Sequence, residues 1–241
     1  MNILSIGNSF SQDSQRYLHN IAKSAGENIT CVNLFIGGCS LHTHFANINN
    51  DAKLYIMEYN GERTGFKVSV KEALLSREWD YITIQQVSRL SYNYDTYQPY
   101  ANRLVEYVKT YAPKAKILVH QTWGYETNSK NILENGFEKY DDMFEEVKNS
   151  YEKLAEEVKA DGVIPCGQTM SNMLKNGLEK VHRDGFHADL GYGRFALALT
   201  WFEYLTGKDS RDVKYTDFDV EVSDKEIEIA KNSAHEAVEY R

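Results

Sequence analysis

The chain has no apolar run long enough to cross a bilayer, and no charged n-region leading into an apolar h-region. A spanning helix and a secretory leader are therefore not expected, and the chain as given reads as cytoplasmic. It has no excess of positive charge: 27 basic residues stand against 35 acidic ones, a formal −8, with no basic run. Nucleic acid and anionic membrane surfaces are thus not expected as partners. It has only three cysteines, Cys31, Cys39 and Cys166, odd in number and far apart. That excludes a disulfide framework and a cysteine-based zinc site, and leaves each as a small apolar core residue. There is no linker and no internal repeat. The 241 residues read as one unit, long enough to bury a substantial core.

What is present is an alternation of short apolar runs with helical patterns. Asn2–Ile6 is a first strand, and Ser14–Ala25 a helix closed by Gly26. Asn28–Phe35 is a second strand, followed by Gly37-Gly38 and a helix over 41–47 that Ser40 can cap. Leu54–Tyr59, the Asn60-Gly61 turn and Gly65–Val70 read as a small hairpin outside the main sheet. A short helix over 71–77 follows. Trp79–Gln86, Lys116–Gln121 and Gly162–Cys166 complete a set of five main strands. Helices are expected over 100–111, 136–160, 169–178, 189–205 and 224–240, with a polar loop or broken helix at 122–135. Strands separated by helical crossovers build a parallel sheet covered on both faces, so the fold class is a three-layer α/β/α architecture.

In such sheets ligands collect beyond the carboxyl ends of the strands. The strand ends carry Gly7-Asn8-Ser9, Gly37-Gly38, Gln85-Gln86, His120-Gln121-Thr122-Trp123 and Gly167-Gln168. Ser9 stands where a strand ending on glycine gives way to a helix. That junction exposes a hydroxyl beside backbone N–H groups, although Gly, Asn and Ser are also ordinary turn and cap residues. A nucleophilic serine needs a base and an acid to orient it. Asp184 and His187, three residues apart on a loop before the late apolar helix, supply that pair.

A first strand ending in Gly-x-Ser and a late Asp-x-x-His resemble the SGNH/GDSL hydrolases. The likeness spans nearly the whole chain through short motifs, and is nearest to a branch that begins Gly-Asn-Ser-x-Ser. The resemblance implies a flavodoxin-like α/β/α fold, with Ser9 as nucleophile, His187 as base and Asp184 as its orienting acid. It implies an oxyanion hole from the N–H groups of Ser9 and Gly38 and a side-chain amide after the third main strand. Two positions depart from the family pattern. Asn8 stands where GDSL enzymes have Asp. Gln85-Gln86-Val87-Ser88 replaces Gly-x-Asn-Asp, so Gln86 becomes the expected third donor and Gln85 the alternate.

The activity this implies is a serine esterase, without cofactor or metal, that removes an acetyl-sized acyl group from a carbohydrate or similar substrate. Seventeen tyrosines and three tryptophans offer stacking surfaces as well as core filling. Trp123, Tyr125 and the Tyr92, Tyr94, Tyr97 cluster are candidate sugar contacts, and His44 a candidate substrate contact. Two alternatives stand beside it. One is a metal-dependent hydrolase using His42, His44, His120 and Asp184 as ligands. The other is a non-catalytic glycan-binding domain on the same scaffold.

Overall fold

The computed structural model describes residues 1–239. Seven strands form one sheet: β1 (Asn2–Gly7), β2 (Thr30–Phe35), β3 (Tyr55–Tyr59), β4 (Glu62–Val68), β5 (Tyr81–Ile84), β6 (Lys116–His120) and β7 (Gly162–Ile164). Their spatial order is β4-β3-β2-β1-β5-β6-β7. The five strands expected from the sequence pair in parallel, with β1 at the centre between β2 and β5. Ile3, Leu4 and Ile6 of β1 are almost wholly buried, as a strand covered on both faces requires.

The hairpin differs from the expectation. It is not outside the main sheet, because β3 pairs antiparallel with β2 and β4 then forms the edge. Asn60-Gly61 turns it as expected, with both residues at positive φ. Nothing in its own residues reveals that β2 has a free edge to receive it. That depends on the strand order.

Ten helices occur among the described residues. On one face, α3 (Leu41–Asn49), α4 (Val70–Leu75), α5 (Tyr100–Tyr111) and α7 (Tyr140–Val158) pack together. On the other lie α1 (Ser9–Gln15), α2 (Leu18–Ser24), α8 (Cys166–Lys175), α9 (Tyr192–Thr206) and α10 (Asp224–Glu239). The short α6 (Lys130–Glu134) fills part of the segment read as a broken helix. The last residue of the expected tail helix, Tyr240, lies outside the described residues. No helix among those described is long and apolar enough to cross a membrane.

One boundary matters for the site. The first helix starts at Ser9 rather than Ser14 and breaks at Arg16-Tyr17. Asn8 caps it, accepting the Phe10 N–H, while the Asn8 N–H donates to Ser11 Oγ. The helix turns back so tightly on β1 that a Cβ at Gly7 would come within 2.0 Å of Ser11 Oγ. Only glycine fits there, and Ser9 is thereby placed in the first turn at the sheet's carboxyl edge.

Candidate active site

A cleft of about 590 Å³ opens at that edge, in the range expected of a small-molecule site. Ser9, Phe10 and Gln12 form one side, Gly37 and Gly38 a second, and Val87, Ser88 and Arg89 a third. Tyr125, Phe186, His187 and residues of α6 close it.

Ser9 Oγ lies 2.8 Å from His187 Nε2, and His187 Nδ1 lies 2.7 Å from Asp184 Oδ2. The three polar groups thus form one continuous line across 178 residues of sequence. The loop that carries the last two is closed by a bridge between His182 and Ala188 and by the Arg183 N–H donating to His187 O. Asp184 Oδ1 accepts the backbone N–H groups of Phe186 and His187. Burial acts to raise the Asp184 pKa. The bonds from the His187 ring and backbone outweigh it, and the net shift is downward.

That shift carries a sign. A carboxyl whose folded-state pKa lies below its unfolded value contributes stability above the unfolded value and loses it as the pH falls through the folded one. The melting-temperature difference between the wild type and Asp184→Asn should therefore shrink as the pH is lowered below about 4. A difference constant from neutral pH down through that range would rule the contribution out.

Asn8 holds the nearby segments together. Its amide Nδ2 donates to Cys39 O at 3.1 Å, fixing the turn that contains Gly38. Its Oδ1 accepts from Phe10 N and from Gln85 Nε2 at 2.8 Å. Gly38 adopts φ +62 within that turn and lines the cleft beside Ser9.

Other expected site residues lie elsewhere. Gln86 is fully buried and does not face the cleft: its Nε2 donates to Thr96, and its Oε1 accepts from Leu41 N and Val87 N. Gln85 points to the opposite face, bonded to Asn8 and to His120 Nδ1, and is not on the cleft either. Successive strand residues face opposite ways, so two adjacent amides at a strand end cannot share one target.

His44 is also no substrate contact. It is completely buried against Tyr55 OH at 2.9 Å, and burial pushes its pKa down to about 3. Trp123 is fully buried behind the cleft. It stacks on Phe10 at 4.1 Å, and its Nε1 donates to Phe186 O at 2.8 Å. Tyr125 does line the cleft, with its hydroxyl 2.8 Å from Ser88 Oγ. Tyr97 is core, while Tyr92 and Tyr94 lie at a separate groove.

The metal-ligand set is not assembled. His42 rests on Tyr100, His44 on Tyr55, and the buried His120 between Gln85 and Ser14. Among the described residues the grouping close enough to hold an ion is Glu203, Asp209 and His235, which includes none of the four.

Three features were not foreseen. Asn131, Glu134 and Asn135, in and just after α6, form an outer wall of the cleft. Arg89 reaches the Gly38 carbonyl at 3.5 Å and has no carboxylate partner among the described residues. Asp13, in α1, is fully buried and ion-paired with Arg183 and Arg194. No local pattern marks a pair separated by 170 residues.

The layers and the parallel sheet, with Ser9, His187 and Asp184 brought into one line at its carboxyl edge, define a three-layer α/β/α fold with a polar cleft at that edge. The chain belongs to the DUF4886 family, a domain of unknown function, whose model matches residues 2–237. A DUF4886 family protein from Bacteroides uniformis shares 33% identity with it at a TM-score of 0.93, over 100% of this chain and 95% of that one. A protein from Parabacteroides merdae described as a GDSL-like lipase shares the fold at a TM-score of 0.56 and 17% identity, over 84% of this chain and 94% of its own. Among curated proteins none matches the chain.

Proposed function

We propose that this protein is a serine esterase that removes an acetyl-sized acyl group from a hydroxylated, carbohydrate-like substrate. The observation that supports this most is the unbroken line Ser9 Oγ, His187 Nε2, His187 Nδ1, Asp184 Oδ2 at 2.8 and 2.7 Å. Ser9 Oγ attacks the ester carbonyl while His187 Nε2 takes its proton. Asp184 holds the ring in the tautomer that leaves Nε2 free, and stabilises the imidazolium that forms. The oxyanion is held by the N–H groups of Ser9 and Gly38. The first N–H groups of a helix have no partner within it, so the Ser9 amide is available for this at the start of α1. His187 then protonates the departing alkoxide. Water attacks the acyl-enzyme by the same route, and the serine is regenerated.

The lining suits a hydroxylated leaving group. Gln12, Ser88, Asn131 and Asn135 offer hydrogen bonds, and Phe35, Phe186 and Tyr125 offer ring faces. The test is a panel of acetylated sugars and p-nitrophenyl esters of rising chain length, run with and without a strong chelator and alongside a fluorophosphonate probe. The expected result is turnover that is greatest for acetyl, indifferent to the chelator, and accompanied by labelling of Ser9. Absence of turnover across the panel together with an unlabelled Ser9 would overturn the reading.

A further inference from the structure

The line from Ser9 to Asp184 crosses two separate pieces of chain, a helix and a loop, and something must fix one against the other. Asp13 is one helical turn beyond Ser9 on α1. Its carboxylate is completely buried. Oδ2 accepts from Arg183 Nη1 at 2.9 Å, and Oδ1 accepts from Arg194 Nε at 2.9 Å. Arg183 immediately precedes Asp184 in the loop, and Arg194 belongs to α9, where it also meets Asp219 at 3.4 Å. One carboxylate therefore joins the serine's helix, the histidine's loop and the late apolar helix.

Burying a charge in this way is not the cheapest route to stability, since an apolar contact of the same shape often does as well. What an apolar contact could not do is hold a guanidinium. Arg183 Nε also lies 4.0 Å from Asp184 Oδ2, the same oxygen that faces His187 Nδ1. Arg183 therefore sits between two carboxylates, its Nη1 shared between Asp13 and the Ala188 carbonyl at 2.5 Å and its Nε just out of bonding range of Asp184.

We infer that Asp13 is a positioning residue that restrains Arg183 and so reserves the Asp184 carboxylate for His187. The inference rests on the esterase reading of the site. With Asp13 neutralised, the nearest carboxylate left to Arg183 is Asp184. A guanidinium closing on Oδ2 competes with the imidazole N–H for that oxygen, and its positive charge makes an imidazolium there less stable. The other charged or titratable groups near the pair include His182, buried and bonded to Gly124 O, Lys180, paired with Glu126, and Arg89 and Glu134, which line the same cleft. None of them is bonded to Asp13.

The experiment compares the kcat/KM pH profiles of the wild type, Asp13→Asn and Asp13→Asn/Arg183→Gln on p-nitrophenyl acetate, with Ser9→Ala as reference. In Asp13→Asn, kcat should fall by about tenfold to a hundredfold with KM nearly constant. The acid limb should move to lower pH, because a less stable imidazolium releases its proton sooner. In the double variant the competitor is gone, and the acid limb should return to the wild-type position with most of kcat recovered. A purely structural loss would leave the limb in place in both variants.

Should Asp13→Asn fail to fold, Asp13→Glu and Asp13→Glu/Arg183→Gln take the place of the two variants, since the longer carboxylate keeps the buried charge but displaces the Arg183 contact. An acid limb lowered in the first and restored in the second supports the inference, and a limb left in place in the first overturns it. If Asp13→Asn keeps the wild-type profile while Ser9→Ala is inactive, this inference alone falls. If the wild type shows no more turnover than Ser9→Ala, the esterase reading falls and takes this one with it.

Discussion

Ser9→Ala should reduce p-nitrophenyl acetate hydrolysis by about a thousandfold or more while leaving the melting temperature nearly unchanged. The activity loss is large because the proposed reaction has no other nucleophile. Ser88, the other serine lining the cleft, is bonded to the Tyr125 hydroxyl at 2.8 Å rather than to a histidine, and Ser14 is fully buried against His120. The stability change is small because the Ser9 hydroxyl makes no bond that holds α1 in place. That role falls to Asn8 and Ser11, which cap the helix reciprocally. Steady-state kinetics beside a thermal scan separates the two effects. Unaltered turnover in the variant would remove Ser9 from its role.

Trp123→Ala should cost about 3–5 kcal/mol of folding stability, as large-to-small changes at fully buried aromatics do. The loss would not be confined to the core. The indole stacks on Phe10, the residue after Ser9, and its N–H holds the carbonyl of Phe186, the residue before His187. Trp123 therefore sits beneath both halves of the site. A second variant separates the two contributions. Trp123→Phe keeps a ring against Phe10 but leaves the Phe186 carbonyl without its donor, which should cost about 1–3 kcal/mol. Denaturant unfolding measures both. If Trp123→Ala instead unfolded like the wild type and only raised KM, the indole would be a substrate contact after all.

That result bears on what the sequence made legible. The strand and helix alternation fixed the five parallel strands, since Val, Ile and Leu runs and amphipathic spacing are local signals. Ser9, Asp184 and His187 were legible through two short motifs and their place at strand ends. Side-chain direction was less accessible. Trp123 follows a strand at the correct edge, yet its ring turns inward to pack on Phe10. Gln86 also stands at that edge, but strand alternation sends its amide to Thr96 and the Leu41 N–H. The edge assignment held for both residues, whereas the facing depended on neighbours distant in sequence. Asp13 and Arg183 were invisible for the same reason. Each looks like an ordinary surface charge until the fold brings them together.

Asn8 has a consequence for how this chain can vary. Its amide donates to one backbone carbonyl and accepts from two donors, a combination that no carboxylate reproduces. An aspartate there would set an anion against the Cys39 carbonyl and release the glycine turn beside the serine. Variation at this position is therefore tied to the course of a loop thirty residues away.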